Sequence, residues 1–188
     1  AGLAGDFGKV IVGEKLYTAF YNHVTGPVDP TYWVGGTGFV QSGRTNDVIT
    51  YQGGNDMFSF EISGEADGTD GTDDAGTTTS LSGYQAGASI GLGDNWTVAA
   101  ALRDAEDSTA NTTNGTVSGV TVYGNLGDIF LGGSYQSDDD ADGITVHAGF
   151  GSFFVNYSQT DNDGGATPTE IAAGYSASIG ENTSWWIE

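Results

Sequence analysis

The sequence predicts an all-β protein, and more narrowly an antiparallel up-and-down transmembrane β-barrel. Three observations predict it. Apolar side chains alternate with small or polar ones from Phe58 to the end of the chain, short connections alternate with long ones, and the charged residues collect in the long connections. Together these patterns are typical of barrels that present one face of each strand to lipid and the other to water.

The composition narrows the range of functions. Of the 188 residues, 25 are acidic and 4 are basic, which gives a formal net charge of −21. Such a charge repels phosphates, so nucleic acid is excluded as a partner. Glycine contributes 32 residues and aromatics 12%, a composition that favours a folded β protein with many tight turns over a disordered acidic chain. Cysteine is absent, which removes disulfides, thiol nucleophiles and cysteine metal ligands.

Period-two alternation predicts about eleven strands. The first two run from Lys9 to Leu16 and from Asp47 to Gln52. The apolar faces of the other nine carry Phe58–Ile62, Tyr84–Leu92, Trp96–Leu102, Val120–Val122, Ile129–Tyr135, Ile144–Phe150, Phe153–Tyr157, Ile171–Ile179 and Trp185–Ile187. No stretch has a helical period over ten residues.

The connections between these strands alternate in length. Short ones occupy 53–56, 93–95, 127–128, 151 and 180–182, and longer ones occupy 66–81, 104–117, 137–142 and 160–168. In an up-and-down sheet this places the tight turns at one end and the long loops at the other, as in outer-membrane barrels. A soluble β-sandwich has no reason to alternate in this way, and a calcium-binding β-solenoid would need a repeat of fixed period, which the sequence lacks.

The acidic residues lie mainly in the long loops. The densest cluster comprises Asp138, Asp139, Asp140 and Asp142. One interpretation is that such loops bind Ca²⁺ or Mg²⁺; the other is that they are simply solvated. The second is favoured because no cluster has EF-hand spacing. No other cofactor is predicted, and no metal site is assigned.

One long stretch, from Tyr17 to Asn46, does not alternate. It contains His23, Trp33 and Phe39, too many aromatic side chains for a solvated linker, so it should pack against the rest of the protein. In a barrel the sheltered place is the lumen. We therefore predict a single partial barrel over 1–188, with an inward-folding constriction loop at about 17–46.

Several segments resemble general bacterial porins of Gram-negative outer membranes. Gly5-Asp6-Phe7-Gly8-Lys9 resembles the opening of a porin strand, and Tyr17-Thr18-Ala19-Phe20-Tyr21 resembles the start of the third extracellular loop. Trp33-Val34-Gly35-Gly36 matches a bend in that loop, and Gly43-Arg44 begins a stretch similar to the following strand. The segment 175–184 is similar to the turn that precedes the penultimate strand.

The resemblance implies a 16-stranded porin barrel in the outer membrane of a Gram-negative bacterium. The inward loop of porins follows the fifth strand, so the eleven strands would be the fifth to the fifteenth, and we expect an incomplete polypeptide. Open edges support this expectation, because unpaired backbone groups are costly in lipid. The implied partners are outer-membrane lipids, two further copies in a homotrimer, and small hydrophilic solutes and ions.

Porins carry facing charges at the pore constriction, and four residues are candidates here. Arg44 matches the family's arginine on the wall, and Asp29 is the acid inside the predicted inward loop. Lys9 and Glu61 have the parity of lumen-facing positions on their strands. For each, the alternative is an ordinary solvated lumen residue.

Catalysis is not predicted. Histidine is limited to His23 and His147, and no nucleophile or base is fixed beside either by a recognisable motif. A barrel hydrolase would need a Ser or Asp beside His147. The predicted function is passive diffusion of small hydrophilic solutes and ions, with a preference for cations. The alternative from another class is a secreted acidic all-β protein, such as a calcium-binding adhesin or a surface-layer module.

Overall fold

The computed structural model describes residues 1–17, 19–29, 44–66, 81–105, 115–178 and 184–187. Within these ranges, twelve strands form one antiparallel sheet in which each strand pairs with its neighbours in sequence. The strands are β1 (Gly2–Gly5), β2 (Gly8–Tyr17), β3 (Arg44–Gly54), β4 (Phe58–Ala66), β5 (Leu81–Leu92), β6 (Trp96–Ala105), β7 (Gly115–Leu126), β8 (Ile129–Ser137), β9 (Ala141–Phe150), β10 (Phe153–Asn162), β11 (Thr169–Ser178) and β12 (Ser184–Ile187).

The predicted strands are confirmed as β2 to β12, and β1 is an addition. β1 has only four residues, all of them Gly, Ala or Leu, so it is too short and too uniform for alternation to mark it. It pairs with β2 across a tight turn in which Gly5 lies opposite Gly8. The porin-like segment that begins at Gly5 therefore forms a hairpin turn as well as the start of a strand.

The sheet has an apolar face that is exposed and a polar face that is buried. Ile62, Val155 and Ile171 are 54%, 51% and 71% exposed, whereas Gln85 and Asn156 are 0% and 1% exposed. A water-soluble protein sorts its side chains the other way. An exposed apolar face is stable against hydrocarbon, so the sheet is the wall of a transmembrane barrel and not half of a soluble sandwich.

Aromatic side chains mark the edges of the exposed face. Phe58, Phe150 and Phe153 point outward beside the short turns, and Tyr135 points outward near the opposite end of β8. Rings at these levels fit the two aromatic girdles that flank the apolar band of a barrel. Of Trp185, only the backbone position in β12 is described.

One predicted long connection is short in the structure. Only residues 138–140 separate β8 from β9, because the side chain of Asp138 closes a tight turn. Its Oδ1 accepts hydrogen bonds from the backbone N–H groups of Asp140 and Ala141, at 2.8 and 2.7 Å. Asp side chains commonly form such turns, so this Asp-rich segment forms a short turn and not the longer loop that was predicted.

The helical structure of the described residues lies in the connection from β2 to β3. A π-helical turn, Tyr21–Thr25, runs directly into a 3₁₀ turn, Gly26–Val28, where Pro27 fits because its fixed φ suits the start of a helix. Residues 19–29 are named the inner segment below. No helix in the described ranges has the length and apolar character needed to cross a membrane.

The exposed apolar face gives a direct test of the fold. Val146 lies near the middle of β9 and is exposed, so Val146→Lys would place a charge in hydrocarbon. We expect the free energy of unfolding in lipid vesicles to fall by about 2–4 kcal/mol. Urea titration followed by tryptophan fluorescence measures it.

Ser89→Lys provides the control, because Ser89 is half-buried on the opposite face of β5 and its replacement stays in water. It should change the unfolding free energy much less. Equal losses for the two variants would contradict the assignment of the faces.

Candidate functional site: the inner segment and the wall beneath it

The inner segment packs against the buried face of the sheet, which is called the inner face. It contacts strands β5 to β9. Phe20 and Val24 are completely buried and form an apolar cluster with Ala101 of β6 and Val117 of β7. This cluster is a small apolar patch on the inner face, and it holds the inner segment against β6 and β7.

Hydrogen bonds from the wall satisfy polar groups of the inner segment. Thr121 of β7 donates its hydroxyl to the carbonyl oxygen of Val24 at 2.6 Å. The backbone N–H of Phe20 donates to Oε1 of Gln85 at 3.4 Å. A π-helical turn leaves carbonyl and N–H groups without regular partners, and these wall side chains supply them.

Three glycines of the inner face make room for the inner segment. A Cβ at Gly87 would lie 2.5 Å from Cδ2 of His23, and one at Gly132 would lie 2.6 Å from Cγ1 of Val28. At Gly119 the nearest atoms would be Cζ of Phe20 at 2.7 Å and Cγ1 of Val24 at 2.8 Å. Each distance is shorter than real Cβ atoms tolerate, so glycine at these positions is a requirement of close packing.

Glu61 of β4 connects the wall to the inner segment. Its Oε2 accepts hydrogen bonds from Nε2 of Gln52 at 2.8 Å and from Nδ2 of Asn22 at 3.0 Å. His23 is buried close to this carboxylate. Burial lowers the pKa of His23 below its usual value, and the negative charge of Glu61 opposes this effect only in part. The imidazole is therefore neutral at pH 7.

A second carboxylate on the inner face is bound to an arginine. Arg103 of β6 donates from Nε and Nη2 to the two oxygens of Glu65, at 2.9 and 2.8 Å, and both side chains are buried. Nε2 of Gln85 also donates to Oε1 of Glu65. A bidentate pair of this kind is geometrically specific, and it neutralises the arginine within the wall.

The predicted constriction residues are only partly brought together. Lys9 of β2 lies opposite Gln52 of β3, which lies opposite Glu61, so the three share one cross-strand row on the inner face. With strands about 4.8 Å apart, the backbones of Lys9 and Glu61 are about 10 Å apart. Asp29 ends the 3₁₀ turn and is half-buried. Arg44 begins β3 opposite Tyr17, and only its backbone position is described.

Arg103 and Glu65 were missed by the sequence analysis, although the same parity rule places them. Arg103 follows outward-facing Leu102, and Glu65 has the parity of Glu61. Predicting that the two residues pair requires the register between strands. In that register Gln85 of β5 lies opposite Arg103 on β6 and opposite Ser63 on β4, two residues from Glu65. Sequence alone does not fix that register.

The acidic cluster at the β8–β9 turn does not form a metal site in the described structure. Besides the turn-closing role of Asp138, Oδ1 of Asp142 accepts a hydrogen bond from the hydroxyl of Tyr135 at 2.7 Å. In the described ranges, no group of three or more His, Asp or Glu side chains is arranged to hold a metal ion. Two of the four candidate carboxylates are thus engaged locally.

This architecture defines a class of protein: a transmembrane barrel wall with an apolar outer face and a polar inner face on which a folded segment is seated. Comparison with protein families makes the assignment more specific. The family model described as Gram-negative porin matches residues 1–188. The chain therefore belongs to the Gram-negative porin family, and its location is the outer membrane of a Gram-negative bacterium.

Solved porin structures have the same fold at low sequence identity. The Salmonella typhi OmpF complex with daunomycin matches with a TM-score of 0.74 at 15% identity, over 95% of this chain and 65% of that one. In-vitro folded OmpT of Vibrio cholerae matches with a TM-score of 0.67 at 19% identity, over 98% and 66%. The trimer form of that OmpT matches with a TM-score of 0.59 at 18% identity, over 93% and 62%.

The chain spans about two thirds of the length of these structures, or slightly less. No curated protein matches it in sequence. Family membership confirms that the chain is a porin and not an enzyme, and it sets aside the secreted adhesin.

The fit between glycine and the inner segment can be tested by adding one methyl group. Gly119→Ala places a Cβ against Phe20 and Val24. We expect the inner segment to loosen, so that amide hydrogens of residues 19–28 exchange at least about tenfold faster, as measured by mass spectrometry in detergent.

Gly133→Ala is the matched control, because its Cβ would point to the other face of β8 with its nearest neighbour, the carbonyl oxygen of Thr145, at 3.6 Å. It should leave exchange in residues 19–28 unchanged. If both variants behave like the unmodified protein, the packing described for the inner segment is wrong.

The buried ion pair predicts strong coupling between its partners. Arg103→Met leaves the carboxylate of Glu65 buried without its cation, and we expect a loss of about 3–5 kcal/mol in the free energy of unfolding. The double variant Arg103→Met/Glu65→Met removes both charges and should regain a large part of the loss. Urea unfolding of the two single variants and the double variant measures the coupling, and additive losses would contradict the pair.

Proposed function

We propose that the protein is a passive diffusion channel for small hydrophilic solutes and ions. The observation that carries the proposal is the distribution of side chains between the two faces of the sheet. Ile62 and Ile171 lie on the exposed face, which would contact lipid, and Thr50 and Gln85 lie on the inner face. A wall of this kind separates hydrocarbon from a polar lumen. Movement through it follows the concentration gradient and needs no catalytic residue.

We infer that residues 17–46 set the size limit of the channel. The support is the packing of the inner segment on the inner face, where it narrows the space that the wall encloses. Asp29 would border the opening from the inner segment, and Lys9 and Glu61 would border it from the wall. Arg44 is proposed as a further wall base because of its match to the family motif and its place at the start of β3.

Charge supports a preference for cations. The chain has a net charge of −21, and one of its four basic residues, Arg103, is neutralised by Glu65 within the wall. Glu61 has no such basic partner among its hydrogen bonds, since Gln52 and Asn22 are neutral donors. Its negative charge, together with the acidic loops, raises the local concentration of cations.

We further propose that the protein works as a homotrimer surrounded by outer-membrane lipids. The support is indirect: a trimer form is described for OmpT of Vibrio cholerae, whose fold is similar. Part of the exposed apolar face would then lie between subunits, and the rest would contact lipid.

Ion selectivity tests the proposed preference. A tenfold KCl gradient across a planar bilayer should give a reversal potential that favours K⁺ over Cl⁻. The preference should weaken as total salt increases, because the screening length falls from about 10 Å at 0.1 M to about 3 Å at 1 M. Glu61→Gln keeps a similar shape and should shift the reversal potential toward zero.

Asp94→Asn removes one negative charge from the exposed β5–β6 turn and serves as the control. It should shift the reversal potential less than Glu61→Gln does. A reversal potential that favours Cl⁻ in the unmodified protein would contradict the cation preference. Equal shifts in the two variants would show that Glu61 does not lie at the constriction.

A further inference from the structure

Four rings form a row on the inner face, close to the short-turn end of β7 to β10. Ring centroids are 6.2 Å apart from Tyr123 to Phe130, 5.4 Å from Phe130 to His147, and 6.2 Å from His147 to Phe154. The neighbouring rows of the same wall carry hydroxyl and amide side chains. This aromatic row lies on the opposite face from the outward-facing girdle, so contact with lipid does not account for it.

A cavity of about 350 Å³ opens beside this row. Phe130, His147 and Phe154 line it, together with Gly149. We name it the ring pocket. Its remaining lining comes from the β7–β8 and β9–β10 turns and adjoining strand positions, namely Asn125, Asp128, Gly151, Ser152, Phe153 and Ser176.

Polar groups in and beside the ring pocket lack partners. Nδ1 of His147 is buried and has no hydrogen-bond partner within the described residues. Asn156, which lies directly opposite His147 on β10, has neither its Nδ2 nor its Oδ1 satisfied there. Buried polar groups without partners are costly, and of these two residues only His147 lines the ring pocket, so its imidazole is the group that a ligand hydroxyl would satisfy.

We propose that the ring pocket is a binding subsite for a small neutral sugar inside the channel; this inference rests on the proposed function. A pyranose ring has apolar C–H faces that stack on aromatic rings, and an edge of hydroxyls that both donate and accept hydrogen bonds. The rings of Phe130 and Phe154 supply the first contact. The second comes from the polar lining residues His147, Asn125, Asp128, Ser152 and Ser176. The lining includes no Lys or Arg, so an anionic solute finds no counter-charge, and the carboxylate of Asp128 can accept hydrogen bonds from sugar hydroxyls.

The size of the ring pocket limits the ligand. A volume of 350 Å³ is near the lower end of the range of about 300–1,000 Å³ for small-molecule sites. It is large enough for one or two sugar rings.

The first measurement is binding without conduction. Saturation-transfer NMR with the detergent-solubilised protein and glucose should show transfer to the sugar protons, and sorbitol, which has no ring face, should show much less. Phe130→Leu/Phe154→Leu keeps the apolar volume but removes the ring faces, and it should reduce the transfer from the protein to glucose at least fivefold. Phe150→Ala removes an outward-facing ring near the same end and should leave the transfer unchanged.

The second measurement is ion current through single channels in a planar bilayer. Glucose should reduce the current with a saturable dependence on concentration, and Phe130→Leu/Phe154→Leu should raise the half-blocking concentration about tenfold at the same unitary conductance. Equal conductance shows that the variant is folded.

The outcomes separate the two proposals. Channels that conduct KCl but show no saturation transfer to glucose, or the same transfer in Phe130→Leu/Phe154→Leu, would overturn the sugar subsite and leave the channel intact. Transfer that depends on the two rings in a protein that forms no channels would overturn the proposed function instead. Saturable block by benzyltrimethylammonium, with none by glucose, would assign the ring pocket to organic cations and overturn the sugar proposal.

Discussion

The structure depends on one constraint: in lipid, every backbone N–H and C=O of the wall must find its partner on a neighbouring strand. The antiparallel ladder meets this requirement for β2 to β11, each of which pairs with a strand on both sides. Once the backbone is committed to the ladder, the side chains can only alternate between the two faces. Solvent then decides the composition of each face, which is why Val146 and Thr145 are neighbours in sequence but lie in opposite environments.

This constraint also explains how much of the fold can be read from the sequence. Alternation identified β2 to β12 because hydrocarbon on one side and water on the other impose a period of two over many residues. It missed β1, whose Gly-Leu-Ala-Gly sequence has almost no contrast between its faces. It also predicted a longer β8–β9 loop, because composition does not show that Asp138 closes its own turn.

The inner segment marks the limit of prediction more clearly. Its lack of alternation indicated that it leaves the wall, but its π-helical turn is set by tertiary contacts with Gly87, Gly119 and Gly132. These glycines come from three different strands, and only the register brings them under one segment. The same limit applies to Arg103 and Glu65, each of which could be assigned to a face from its own strand but not to a partner.

The chemistry of the inner face therefore changes from the long-loop end of the strands to the short-turn end. Toward the long-loop end, Ala101 and Val117 hold the inner segment, and Glu65 neutralises Arg103. Toward the short-turn end, the row from Tyr123 to Phe154 presents aromatic rings, and Asp128 contributes a carboxylate to the ring pocket beside it. With Glu61 at the constriction, as proposed, a solute would be selected there by charge and size, and the proposed ring pocket would discriminate by ring contact and hydrogen bonding. The two regions meet at Gly132, which lies between Tyr123 and His147 in the register and against Val28 of the inner segment, so a substitution in one region should affect the other through this contact.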